Sequence, residues 1–177
     1  MLYLVEGLNC AGKTYWINKQ PDGAYLHTPY LNPKNWNADN LPSYISHMSQ
    51  IDFLLGAYYA IVNMYNDNNF KRLNVYWDRT WISAFVYGSL TKDCFRLLVS
   101  EHGKFIHDVR VIYINTPINI CLKRLNELRS EDTRYNNYEL SAIEDDWIAV
   151  KNNFINAFAI MKSVGFHEDN FVEVSGE

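Results

Sequence analysis

The octapeptide Gly-Leu-Asn-Cys-Ala-Gly-Lys-Thr, residues 7–14, constrains this chain more than any other stretch. Its spacing is G-x-x-x-x-G-K-[ST], with Gly7, Gly12, Lys13 and Thr14 on the required positions. The pattern has a mechanical reading. Glycines let the backbone fold round a phosphate with its N–H groups turned inward, a lysine reaches the β and γ oxygens, and a threonine hydroxyl ligates Mg²⁺. Gly7, Asn9, Cys10, Ala11, Gly12, Lys13 and Thr14 are therefore the expected nucleotide-binding residues, with ATP and Mg²⁺ the expected cofactors. A chance octapeptide in an ordinary turn is the alternative. The flanks favour the first reading, because the loop requires a strand before it and a helix after it. The apolar run Leu2-Tyr3-Leu4-Val5-Glu6 supplies the strand, and residues 13–20 read as the helix.

Further along, Ala24-Tyr25-Leu26-His27 reads as a short strand between the turn Pro21-Asp22-Gly23 and Pro29. Residues 30–40 are a polar loop. Pro42, Ile45, Met48, Ile51 or Asp52, Leu55, Tyr58, Val62 and Tyr65 recur at three- and four-residue intervals and predict one long helix. Strands are expected at 73–77, 109–114 and 171–174, and helices at 80–102 (with a break near Gly88), 118–128 and 140–164. Within 118–128, Ile118, Cys121, Leu122, Leu125 and Leu128 form the apolar stripe, leaving Lys123, Arg124 and Asn126 on the polar face. Residues 129–138 are charged and aperiodic.

Strands alternating with helices imply a three-layer α/β/α domain over 1–177, with a roughly five-stranded parallel sheet and a lid segment at about 129–138. Ligands of such sheets collect at the carboxyl ends of the strands. That rule brings Gly7 to Thr14, His27-Thr28 and Asp78-Arg79 to one edge.

Phosphoryl transfer needs the donor phosphates cradled, a metal, a positioned acceptor and positive charge on the moving group. Lys13 and Thr14 serve the donor and Mg²⁺. Asp78 can hold a metal water or orient the acceptor, and Arg79 can clamp an acceptor phosphate with its fork of donors. A surface ion pair or a helix cap is the plainer use of Asp78 and Arg79. Arg129 and Arg134 could close over the triphosphate with the lid, or sit on an ordinary solvated loop. Gln50 and Phe53 offer an amide and a flat ring that suit a nucleobase, with exposure and core packing as the plainer alternatives.

The chain's 177 residues and 48% apolar content support one core, and its net charge of −4 creates no general field toward nucleic acid or an anionic membrane. Nucleic acid is thus a disfavoured though still open partner; the expected partner is a small-molecule nucleotide, and a homodimer is compatible with such a chain. No run approaches a membrane span, and the N-terminus lacks the charged-then-apolar pattern of a signal peptide, so a cytoplasmic location is expected. It would be the host cytoplasm if the chain is phage-encoded, as its compact, asparagine-rich style suggests. Cys10, Cys94 and Cys121 are odd in number without metal-type spacing, which argues against disulfides or zinc.

Together these segments resemble the thymidylate kinase and deoxynucleoside kinase group of P-loop kinases. The run from Val5 to Thr14 is similar to that group's strand and loop. The run from Trp77 to Gly88 resembles its Asp-Arg-Tyr segment and following helix, and residues 111–139 resemble its fourth strand, helix and arginine-bearing lid. The resemblance implies the same roles for Lys13, Thr14, Asp78, Arg79, Arg129 and Arg134, and stacking of Phe53 on the acceptor base. There are departures. Thymidylate kinases carry an arginine soon after the second strand, where this chain has His27-Thr28-Pro29, and a base-reading arginine where it has Ala57. Thr80 replaces the tyrosine of the triplet. Nucleoside kinases place a glutamate base after the second strand, and here only the proline and Trp36 are kept. Without that base a neutral hydroxyl is the harder acceptor, whereas a monophosphate is already ionised. The expectation is an ATP-dependent nucleoside monophosphate kinase, thymidylate-like first. A deoxynucleoside kinase, a kinase of a modified base free or within DNA, and a nucleotide-binding module without turnover are the rivals.

Overall fold

The computed structural model describes residues 1–21, 23–27, 74–88, 90–102, 109–129 and 140–176. Five strands, β1 (Leu2–Gly7), β2 (Gly23–His27), β3 (Asn74–Asp78), β4 (Val109–Asn115) and β5 (Phe171–Ser175), form one sheet in the order β2-β3-β1-β4-β5. Every neighbouring pair is parallel. Among the described residues the helices are α1 (Lys13–Asn18), α2 (Trp81–Val86), α3 (Lys92–His102), α4 (Ile118–Arg129) and α5 (Leu140–Ser163). A short 3₁₀ turn, Glu168–Asn170, leads into β5.

The central strand reads as a near-continuous apolar run because both of its faces are covered. Successive side chains alternate between two cores. Leu2, Leu4, Val75, Trp77 and Val111 pack on one face against Trp81, Phe95, Phe154 and Met161. Val5, Tyr76, Ile112 and Ile114 pack on the other against Ile17, Cys121 and Leu125. The three layers expected from the alternation of strands and helices are thereby formed.

The element ends fall within a residue or two of the sequence expectation, the usual scatter of helix and strand ends. The long segment expected at 80–102 does break around Gly88, where φ is +83°, and separates α2 from α3. Thr80 caps α2, its hydroxyl oxygen accepting from Ile82 N–H at 3.1 Å. The capping alternative raised for Asp78-Arg79 thus falls to the next residue. The loop expected at 30–40, the helix expected at 42–65, with Gln50 and Phe53, and nearly all of the lid segment, with Arg134, lie outside the described residues. Among the described residues, no helix is long and apolar enough to cross a membrane.

Register aligns the strand ends. Val5 pairs with Asp78 on one side and with Ile112 on the other, so the ends of β1, β3 and β4 share one edge of the sheet.

Candidate functional site

The phosphate-loop sequence lies where the spacing requires it, between the end of β1 and the start of α1. Gly7 has φ +148°, and a Cβ there would stand 2.7 Å from the Ile114 carbonyl oxygen, so the turn out of the sheet admits no side chain. Lys13 folds back over the loop. Its Nζ donates to the carbonyls of Leu8 at 2.8 Å and Gly7 at 3.0 Å. Burial, with the Arg79 charge as a second cause, lowers the Lys13 pKa to about 8, against the opposing pull of Asp78 and Glu6.

A cavity of about 500 Å³ opens over this loop, lined among others by Lys13, Thr14, Asp78, Arg79 and Arg124. Sequence-predicted residues from two distant segments, Lys13 and Thr14 from one and Asp78 and Arg79 from the other, are brought together in it. Arg79 reaches the loop itself, its Nη2 donating to the Asn9 side-chain oxygen. Arg79 and Cys10 are the two non-glycine residues with positive φ, +61° and +59°, among the described residues. Both border the cavity, and left-handed backbone at such residues concentrates at functional sites.

Asp78, 2% exposed, ends β3 and accepts from the Tyr25 hydroxyl at 3.3 Å. That phenol also hydrogen-bonds Thr14, and burial, followed by the Asp78 charge, pushes its pKa up. The Thr14 hydroxyl and the Asp78 carboxylate are thus linked through one oxygen. A hard-oxygen pair of this kind fits Mg²⁺, which takes one or two protein oxygens and completes its shell with water and substrate phosphates. No cluster of three His, Cys, Asp or Glu that could hold a metal unaided occurs among the described residues.

Two residues stand out that sequence reasoning left without a role. Glu6, assigned only to a strand, is fully buried. Its Oε1 accepts from Thr80 N–H at 2.9 Å and from the Thr80 hydroxyl at 2.6 Å, and its Oε2 accepts from the Ser83 hydroxyl at 2.5 Å. Burial pushes its pKa up, against the pull of those bonds and of Lys13. It ties the turn that carries Arg79 to the strand that carries the loop. Arg124, expected on the polar face of α4, instead donates from Nη1 to the carbonyls of Cys10 at 3.2 Å and Ala11 at 3.4 Å, and from Nη2 to that of Gly176 at 2.8 Å. Arg129 ends the same helix; its side chain lies outside the described residues.

No protein-family model matches this sequence, and no curated protein matches it. Solved structures do. A deoxyadenosine kinase from M. mycoides, solved with the products dCMP and a flexible dCDP bound, aligns with a TM-score of 0.57 at 15% identity, over 99% of this chain and 91% of its own. The YorR protein of Bacillus subtilis, in complex with phosphorylated GDP, aligns with a TM-score of 0.53 at 16% identity, over 99% of this chain and 86% of its own. At such identities the likeness assigns architecture alone: this chain has a P-loop α/β/α fold.

Proposed function

We infer that the chain is an ATP-dependent phosphotransferase acting on a nucleoside monophosphate, thymidylate-like first, and forming the diphosphate. The observation that carries this reading is the convergence of Lys13, Arg79 and Arg124 with Thr14 and Asp78 on one cavity at the carboxyl edge of the sheet. Phosphoryl transfer demands little covalent chemistry from a protein; it demands position and positive charge around the moving group. Lys13 supplies charge at the transferring phosphoryl. Thr14 and Asp78 would hold Mg²⁺, which neutralises the β and γ oxygens when bound. Arg79 clamps the acceptor phosphate, and the segment at 129–138 closes with Arg129 and Arg134 over the donor. Gln50 and Phe53 take the acceptor base.

A second reading, a deoxynucleoside kinase, is favoured by the likeness to the M. mycoides deoxyadenosine kinase. Against it stands His27-Thr28-Pro29, which offers no carboxylate base where that chemistry wants one. Assaying the chain with labelled ATP against nucleosides, nucleoside monophosphates and oligonucleotides decides between them. Label appearing only in diphosphates supports the first reading; label in monophosphates supports the second. ATP bound without turnover on any acceptor leaves a nucleotide-binding module.

A further inference from the structure

The carbonyl of Ala11 belongs to the peptide unit whose N–H is that of Gly12, the second glycine of the phosphate loop. In a planar trans peptide those two groups point in opposite directions. Whatever holds the Ala11 oxygen therefore aims the Gly12 N–H. Among the described residues, two side chains hold it. The Thr116 hydroxyl, at the end of β4 and 2% exposed, donates to the Ala11 oxygen at 2.7 Å. Arg124 donates to the same oxygen at 3.4 Å and ties it, through its other nitrogen, to the Gly176 carbonyl 2.8 Å away. Gly176 follows β5 directly and lies against this arrangement so closely that a Cβ would stand 1.8 Å from the Thr116 Oγ1 and 2.4 Å from the Ala11 oxygen. Only glycine allows that approach.

We propose that Thr116 and Gly176 are positioning residues for the phosphate loop: by holding the Ala11 carbonyl in place, they aim the Gly12 N–H at the phosphate of a bound nucleotide. They touch no reacting atom. Their effect passes through one peptide plane, and the proposal rests on the phosphate-loop reading above only where that effect is read as nucleotide affinity.

The test is made on the full chain with glycine-selective ¹⁵N labelling, which leaves eight glycine amides to resolve. Thr116→Val keeps the shape and removes the donor, Thr116→Ser keeps the donor, and Gly176→Ala forces the segment away. The Gly12 amide resonance is expected to shift in Thr116→Val and Gly176→Ala and to return toward the parent position in Thr116→Ser. ATP affinity should fall about tenfold in Thr116→Val, as expected for the loss of one buried hydrogen bond, and should recover to within about twofold in Thr116→Ser. An unmoved Gly12 resonance in Thr116→Val overturns the proposal whatever ATP does. So does a loss of affinity that serine fails to restore. A parent chain that does not bind ATP overturns the functional reading by itself, and the amide resonance still decides the positioning claim.

Discussion

Lys13 donates to the Leu8 carbonyl at 2.8 Å, so the loop's own cation is bonded to the backbone that precedes it by five residues. A phosphate entering the loop competes with the Leu8 and Gly7 oxygens for that ammonium and offers full negative charge against partial charge. On the proposed reading, in which that charge acts on the transferring group and not on the core, Lys13→Ala should reduce phosphoryl transfer by about 10²-fold or more while leaving the fold intact. Turnover assays paired with thermal melts check this. Near-parental turnover in a folded variant removes the loop from the chemistry.

The lowered Lys13 pKa, about 8, gives nucleotide binding a defined pH dependence. Below that value the free protein already holds the proton. Above it, the lysine is neutral when free and protonated against the triphosphate, so binding takes up a proton and affinity should fall by up to about tenfold per pH unit. Calorimetric titration of ATP from pH 7 to about 9.5 tests it, with Lys13→Ala expected to bind weakly and without this slope. A flat profile in the parent contradicts the assignment.

If Arg79 clamps the acceptor phosphate as proposed, Arg79→Ala should raise the acceptor KM or lower kcat by about 10²-fold while changing ATP affinity much less, through the loss of a bidentate partner. The bond from Arg79 to Asn9 makes the opposite result informative. An equal loss of ATP affinity would place Arg79 on the donor side.

Removing the buried carboxylate at Glu6 strands three donors at once: the Thr80 N–H, the Thr80 hydroxyl and the Ser83 hydroxyl. Glu6→Ala should cost about 2–4 kcal/mol of stability in denaturant titrations. Glu6→Gln should recover much of that, since its amide oxygen can still accept from Thr80 and the Ser83 hydroxyl can turn to accept. Equal loss in both variants would mean the negative charge itself, and not the hydrogen bonding, holds the turn.

Arg129→Ala and Arg134→Ala test the lid. If these side chains meet the triphosphate only on closure, each variant should lower kcat by about tenfold or more with little change in ATP affinity measured without acceptor. Hydrogen exchange across 129–138 should slow when an ATP analogue and acceptor are bound together. Unchanged exchange with normal turnover would return the segment to plain surface.

The sheet was legible in the sequence because parallel strands buried on both faces are short apolar runs, and the ends of two of them are marked by Gly7 and Asp78. Strand order was not, since nothing in the run Leu2–Val5 says which strands flank it. Lys13, Thr14, Asp78 and Arg79 announce themselves by motif and by topology. Glu6 and Arg124 do not. Glu6 hides in an apolar run, and its partners come from 74 and 77 residues away. Arg124 has the sequence setting of any solvated arginine on an amphipathic helix, yet its acceptors are carbonyls on a loop 113 and 114 residues distant. Side-chain-to-backbone bonds of this kind leave no spacing signature, because any residue supplies a carbonyl.

The three thiols sit at three depths: Cys94 exposed, Cys10 at the cavity wall and Cys121 sealed in the core. The molecule thus carries its own chemical ruler. Burial pushes the Cys10 and Cys121 thiols up, the latter to about 11, so an alkylating reagent at neutral pH modifies Cys94 first and Cys10 slowly. A ligand lodged against Cys10 shields that second, slow step alone. The ratio of the two modifications, read by mass spectrometry on one unaltered sample, then reports occupancy of the cavity without a label, a mutation or an assay of turnover.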